Sequence, residues 1–278
     1  MRLRTVDAFT DRPFTGNPAG VLRLDQLDSL TEQPPDSWLA ALAAEVNLSE
    51  TAFVLPAEAG TEADFGLRWF SPTVEVDLCG HGTLATAHCL FADGVAGPIR
   101  FSTRSGILTV QALADGSLAM DFPAQPPSEI SPPDGLLEAI GAPARWVGWG
   151  GTDYLVEVAD AATVRALAPD LVRIAALPAR GVMVTAGSDE PGADFVSRFF
   201  GPAVGVAEDP VTGSAHTVLG PYWGQRLGKD ELVGRQLSRR GGTVSVRLLG
   251  DRVLLSGWAV IVSDGQLSAL AADFAAGS

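Results

Sequence analysis

The sequence predicts an α+β protein of two pseudo-symmetric lobes, each a set of strands around one apolar helix. Three observations predict it. The stretch from Arg68, RWFSPTVEVDLCGHGTLA, recurs in edited form from Arg198, RFFGPAVGVAEDPVTGSA, 130 positions further on. Phe70 meets Phe200, Pro72 meets Pro202 and Cys79 meets Asp209 without a gap. The same offset lays ETAFVL from Glu50 over RGVMVT from Arg180, and SGILTVQALADGSLAMDF from Ser105 matches GGTVSVRLLGDRVLLSGW from Gly241 at offset 136. Three matches in one order, drifting by one loop insertion, indicate a duplication, and so long a period means two lobes rather than a solenoid. The second observation is that the run after the first copy is apolar nearly all round, as a helix buried along a lobe's axis must be. The third is PAQPPSEISPPDG, from Pro123 to Gly135, whose five prolines resist both helix and central strand. It divides the chain into an N-terminal lobe, 1–123, and a C-terminal lobe, 124–278.

The elements follow in order. Asp36 is placed to cap a helix carrying Leu39, Leu42, Ala43 and Val46 on one face, and Asn47 can end it in a left-handed turn. A strand, TAFVL, comes next with Glu50 at its mouth. Beyond FSPTVEVDL a second helix begins near Gly80 to Thr83 and runs through LATAHCLFA. Asp115-Gly116 and Gly250-Asp251 are tight turns between alternating strands, one pair in each lobe. The counterpart helix begins near Thr212 and runs through SAHTVLGPYW, with Pro221 expected to break or kink it.

Composition narrows the class of partner. With 278 residues, 46% apolar and 19% charged, the chain has material for a large core and is not of disordered type. A formal net charge of −14 argues against a nucleic-acid partner, which needs concentrated positive surface. No apolar run reaches the roughly 18 residues that cross a bilayer, and MRLRTVDAFT lacks the continuous hydrophobic stretch of a signal peptide. Two cysteines make no disulfide scaffold. The expected setting is cytoplasmic and reduced, with no membrane partner.

Each repeat sets a strand, a reactive side chain and a glycine-containing helix start in succession. Backbone N–H groups at a helix start attract negative charge. The starts at Cys79 to Thr83 and Asp209 to Ser214 are therefore expected to cradle a carboxylate where the lobes meet. Different side chains on the two arms suit an asymmetric proton transfer. Competing motifs fail. GHGTLA satisfies G-x-G-x-x-A, but the acid expected about 20 positions later is Arg100. There is no P-loop and no G-x-S-x-G elbow. His81 and His88 stand roughly 10 Å apart along a helix, too far to share a tetrahedral ion with Cys79. Neither metal nor cofactor is expected. Plainer readings stand beside these: Asp209 as a turn former, Ser214 as a capping hydroxyl, and His81 as a backbone partner. Cys79 reads equally as a core thiol, though its helix-start position can lower a thiol pKa. His88, Cys89 and His216 read as packing, and Arg68 and Arg198 as structural.

The segments VDAFTDRPFTGNPAGV, VNLSETAFV, WFSPTVEVDLCGHGTLATAH, FFGPAVGVAEDPVTGSA and SRRGGTVSVRLLGDRVLLSGWAVIV span nearly the whole chain. In that order they resemble the PhzF-like family of phenazine-biosynthesis isomerases, which shares the fold of diaminopimelate epimerase. The resemblance implies two lobes, each a curved mixed or antiparallel sheet wrapped around a central helix, with a cofactor-free site at their interface, and a homodimer. Glu50 matches the family's catalytic acid/base. His81 and Asp209 match active-site positions, as does Ser214, and Gly80 and Gly213 match backbone positions near a bound carboxylate. Cys79 and Gly82 stand where the phenazine enzymes tend to carry alanine and proline. Cys79 also occupies the place of one of the related epimerases' two thiols, while the second has no counterpart. The expectation is a cofactor-independent isomerase that moves a proton on a small carboxylate-bearing molecule, with burial raising the pKa of Glu50. Epimerisation through Cys79 and non-catalytic anion binding are the alternatives.

Overall fold

In a computed structural model describing residues 1–25 and 34–268, strands alternate with few helices, and the chain divides into two units. One comprises Met1–Asp121 together with the chain from Gly257; the other is Phe122–Ser256. The strands of the first are β1 (Arg2–Ala8), β2 (Asn17–Arg23), β3 (Glu50–Pro56), β4 (Phe65–Phe70), β5 (Glu75–Val76), β6 (Ile99–Thr103), β7 (Gly106–Ala112) and β8 (Leu118–Pro123). Those of the second are β9 (Ser128–Glu129), β10 (Trp146–Gly150), β11 (Asp153–Glu157), β12 (Gly181–Gly187), β13 (Phe195–Gly201), β14 (Val206–Asp209), β15 (Glu231–Gln236), β16 (Gly242–Leu249) and β17 (Arg252–Gly257). The last strand, β18 (Ala259–Gln266), returns to the first unit, where it pairs antiparallel with β1. This differs from the expected C-terminal lobe of 124–278. The returning strand covers the β1 edge, which would otherwise present unpaired backbone groups; residues 269–278 lie outside the described part.

Pairing makes the duplication visible. In the first unit the order is β18-β1-β2-β3-β4-β6-β7-β8, and in the second β9-β10-β11-β12-β13-β15-β16-β17. Both are mixed, and the parallel pairs fall at the same places: β2 with β3 and β4 with β6, against β11 with β12 and β13 with β15. The hairpins β7–β8 and β16–β17 turn at the expected Asp115-Gly116 and Gly250-Asp251, with both glycines at positive φ.

The repeated arginine and phenylalanine now have a physical reason. Arg68 lies over the Phe70 ring at 5.1 Å and pairs with Glu75; Arg198 lies over Phe200 at 4.9 Å and pairs with Glu208. Each guanidinium covers a buried ring with its flat face while its edge meets a carboxylate. Both arginines are structural, as their position suggests.

Among the described residues six α-helices accompany the strands: α1 (Asp36–Val46), α2 (Gly80–Ala92), α3 (Leu136–Ile140), α4 (Ala161–Ala166), α5 (Leu171–Ala175) and α6 (Gly213–Leu227). α2 is buried from His81 to Leu90 save His88, and it packs on β18, β1, β2, β3 and β7. Strands from both ends of the sheet order touch this one helix, so the sheet curls around it. On the opposite face α1 packs on β3 and β4, placing Trp38 and Leu39 against Phe53 and Phe70. Asn47 ends α1 in the left-handed conformation, as read from sequence. Asp36 does not cap it; Pro35 takes that place, and the Asp36 carboxylate pairs with Arg68 at 2.8 Å.

α6 runs unbroken through Pro221. A proline in a helix leaves the carbonyl four residues back without a donor, and here the Gln125 N–H fills it, reaching the Thr217 oxygen at 2.9 Å. Glycines let this helix lie close on its sheet: a Cβ on Gly220 would stand 2.6 Å from Val246 Cγ1, and one on Gly224 2.4 Å from Leu248 Cδ1. α3, α4 and α5 build a separate core against the β11–β13 strands. No helix among the described residues is long and apolar enough to cross a membrane.

Candidate active site

In the first unit three of the expected residues come together. Glu50 opens β3, held in register by its pairing with Ala19 on β2. Cys79, in extended conformation, caps α2: its Sγ accepts the Gly82 N–H at 3.3 Å, and its carbonyl accepts the Thr83 hydroxyl at 2.7 Å. That turn fixes His81, the second helical residue, so that its Nε2 lies 3.1 Å from Glu50 Oε2. Cys79 Sγ stands 3.6 Å from the near ring nitrogen of His81 and 3.9 Å from the far one. The Glu50 and His81 side chains are only 16% and 8% exposed, so water screens their contact little.

Electrostatics in this cluster run against one expectation. Burial pushes the Glu50 carboxyl up, but the contact and charge of His81, aided by Cys79, outweigh it and hold the group below its ordinary value. His81 shows the converse: burial disfavours its cation, yet Cys79 and Glu50 hold its pKa well above that of a free histidine. Burial, with the Glu50 charge beside it, pushes the Cys79 thiol up against the opposing pull of His81 and the Gly82 N–H. The favoured state is a buried carboxylate–imidazolium pair next to a protonated thiol.

Gly80 begins α2, but Gly82 does not offer its N–H to a ligand, because that group is spent on Cys79 Sγ. The glycine is required by space: a Cβ at position 82 would stand 2.9 Å from both Cys79 Sγ and Trp69 Cδ1. Trp69, 1% exposed, has an indole N–H with no hydrogen-bond partner among the described residues. Sequence reading missed it because it belongs to a strand that reads as core.

In the second unit Asp209 ends β14, and its Oδ2 accepts the Thr212 hydroxyl at 2.6 Å. Buried Gln236 ties the turn together, accepting the Thr212 N–H at 2.9 Å and donating to the Asp209 carbonyl at 2.7 Å. Gly213 begins α6, and the cap position belongs to Thr212. Ser214 is not a capping hydroxyl: its Oγ accepts from Arg180 Nη2 at 3.0 Å. Arg180 is clamped by two bonds to Asp153, at 2.9 and 2.5 Å, and lies over the Phe199 ring. Arg180 and Asp153 were absent from the expected set. The available signal was the repeat, which lays Arg180 over Glu50. His88 is half-buried and His216 and Cys89 are fully buried, as packing residues are.

The sequence model of the phenazine biosynthesis-like protein family matches residues 6–265. The chain belongs to that family. An uncharacterized isomerase of Pseudomonas aeruginosa is 54% identical over 265 residues, covering 94% of this chain and 96% of the relative. The crystal structure of a PhzF-family phenazine biosynthesis protein of Enterococcus faecalis superposes with a TM-score of 0.88 at 38% identity, over 96% of this chain and 98% of the other. A hydroxyproline epimerase of Agrobacterium vitis, 13% identical with a TM-score of 0.62 over 95% of this chain and 91% of its own, shares the fold alone. PhzF-like membership and the mixed α+β, epimerase-like architecture therefore agree with what the five sequence segments imply.

Proposed function

We propose that this isomerase moves a proton from one carbon to another on a small carboxylate-bearing metabolite, with Glu50 as the base. The observation that carries the reading is the 3.1 Å contact between Glu50 Oε2 and His81 Nε2 in a largely buried setting. A carboxylate kept ionised by an imidazolium can accept a carbon-bound proton. The cation beside it then steadies the charge that develops and can return a proton. Such a transfer leaves the substrate's oxidation state unchanged, so side chains suffice for it and no cofactor is invoked. Asp209, Gly213 and Ser214 keep, within the proposal, the orienting and carboxylate-binding roles that the resemblance implies, as does Gly80. A homodimer and a cytoplasmic setting belong to the same proposal; sedimentation of the purified chain reads the first.

Epimerisation at one carbon is the second reading, favoured by the position of Cys79 Sγ beside His81. Its weakness is that burial keeps the thiol protonated, which suits an acid better than a base. Product incubated with enzyme in D₂O should gain deuterium at the receiving carbon, and Glu50→Gln should abolish that exchange. Cys79→Ala should keep most of the turnover. Full activity in Glu50→Gln sinks the first reading, and complete loss in Cys79→Ala with an alkylation-sensitive thiol establishes the second.

A further inference from the structure

The donor set at the start of α2 has a second chemical use. Cys79, His81 and Glu50 each offer one ligand atom, and the three atoms lie within 4.8 Å of one another. His81 Nε2 is 3.1 Å from Glu50 Oε2 and 3.9 Å from Cys79 Sγ. A triangle with those sides and a third no longer than 4.8 Å has one point no more than about 2.4 Å from all three corners. Zinc bonds to oxygen, nitrogen and sulfur run from about 2.0 to 2.3 Å. Small side-chain rotations therefore convert this cluster into a first coordination sphere. His88 stands too far along the helix to join Cys79 and His81; the fold brings in Glu50 instead, delivered by β3.

The chemistry of the donors selects among cations. Magnesium and calcium want oxygen ligands, whereas a sulfur, an imidazole and one carboxylate suit borderline-soft ions such as zinc or cobalt. Glu50 Oε2 is buried with His81 Nε2 3.1 Å away, so a carboxylate oxygen lies inside the cluster beside the other two donors. The Cys79 sulfur already receives a backbone N–H from Gly82, the outer support that orients a metal-bound thiolate.

We propose that Glu50, Cys79 and His81 form an inhibitory site for a zinc-class divalent cation, and that its occupation removes Glu50 from proton transfer. Binding forms metal–sulfur and metal–nitrogen bonds and releases two protons to solvent, one from the Cys79 thiol and one from the His81 imidazolium. One thiolate and one carboxylate then neutralise the cation's two charges, and a fourth position is left for water. The inference concerns the site to which the proposed function assigns catalysis, but its readout is independent of turnover.

The probe is Co²⁺, added to the chelator-treated full chain and followed by its thiolate-to-cobalt charge-transfer absorption. One equivalent should develop the band, and Zn²⁺ should displace it. Cys79→Ser should lose the band, while Cys89→Ser should keep it. Glu50→Gln should weaken Co²⁺ binding by more than the about 10- to 100-fold that loss of an outer-sphere partner costs. No band at saturating Co²⁺, a band that survives in Cys79→Ser, or unchanged affinity in both Glu50→Gln and His81→Gln each overturns the site. Circular dichroism on every variant guards against misfolding, and the two non-cysteine variants keep the test decisive if Cys79→Ser does not fold. Tight Co²⁺ binding by the unaltered protein together with full turnover in Glu50→Gln would leave the metal site standing and remove the proposed function; no cobalt band in the unaltered protein together with lost turnover in Glu50→Gln would do the opposite.

Discussion

Glu50 on β3 and His81 on α2 meet at 3.1 Å, and each shifts the other's proton equilibrium in the direction that charges both. The carboxyl is held below its ordinary 4.5 and the imidazole well above its ordinary 6.5. The ion pair thus persists over more than the interval between those two values, and under the proposed function it is the active form. The kcat/KM profile should be a plateau with an acid limb below pH 4.5, where Glu50 takes up a proton, and an alkaline limb above pH 6.5, where His81 gives one up. Because the two groups are coupled, the limbs belong to the pair. In His81→Gln the alkaline limb should vanish and the acid limb should move upward, since burial is then the strongest influence left on Glu50. Glu50→Gln should cost about 10²- to 10⁴-fold in turnover at neutral pH. An acid limb that stays put in His81→Gln contradicts the pairing.

Gly82 and Cys79 are expected to act as one unit. A methyl group at position 82 would press on both Cys79 Sγ and Trp69 Cδ1 at 2.9 Å, in a region with no slack. Gly82→Ala should destabilise the protein by about 1–3 kcal/mol, the usual cost of overpacking. Cys79→Ala removes one of the two obstacles. The double variant should therefore cost less than the sum of the single ones, with a coupling of about 0.5–3 kcal/mol in urea denaturation. Strict additivity would show that Trp69 alone sets the limit.

The sequence made the helix start at Gly80, the left-handed end at Asn47 and the two hairpin turns legible, because each depends on residues adjacent in the chain. Through the repeat and the resemblance it also singled out Glu50, Cys79 and His81, which the fold brings into one cluster. What it hid depends on partners far away along the chain. Pro221 reads as a breaker until Gln125 supplies the donor for the orphaned carbonyl. Asp36 reads as a cap until Arg68 claims its carboxylate. The return of β18 to β1 joins opposite ends of the sequence. The depressed carboxyl of Glu50 could not be inferred from burial alone, because its sign is set by how near His81 comes.

His216 supplies a pH-dependent stability term away from the Glu50 cluster. It is fully buried on α6, its Nδ1 2.8 Å from the Thr212 carbonyl, and burial pushes its pKa down to about 4. An unfolded chain binds a proton there near pH 6.5, so between pH 6.5 and 4 the unfolded state holds more protons than the folded one. The resulting stability is complete above pH 6.5 and is lost as pH falls toward 4, by on the order of 3 kcal/mol at most. His216→Asn retains a donor for Thr212 and cannot titrate. Its denaturation midpoints should be lower at pH 7 yet fall less steeply on acidification than those of the unaltered protein. Parallel curves would mean that His216 is not the group responsible.

Arg180 holds the start of α6 by an arrangement that lysine cannot reproduce. Its guanidinium makes two bonds to Asp153, whose side chain is 4% exposed, and a third to Ser214 Oγ. A lysine keeps the charge but not the fork, so Arg180→Lys should release Ser214 even where the pairing with Asp153 survives. Arg180→Ala would strand a buried carboxylate, a loss of about 3–5 kcal/mol for a fully buried pair. Since the Arg180 side chain is 35% exposed, solvent screening should reduce this to about 1–3 kcal/mol. Adding Asp153→Asn removes the stranded charge and should restore part of that stability, which thermal unfolding at pH 7 would register. If Asp153→Asn makes Arg180→Ala worse instead, the pair is not what anchors this turn, and the support for Ser214 must come from the Asp209–Gln236 bonds on its other side.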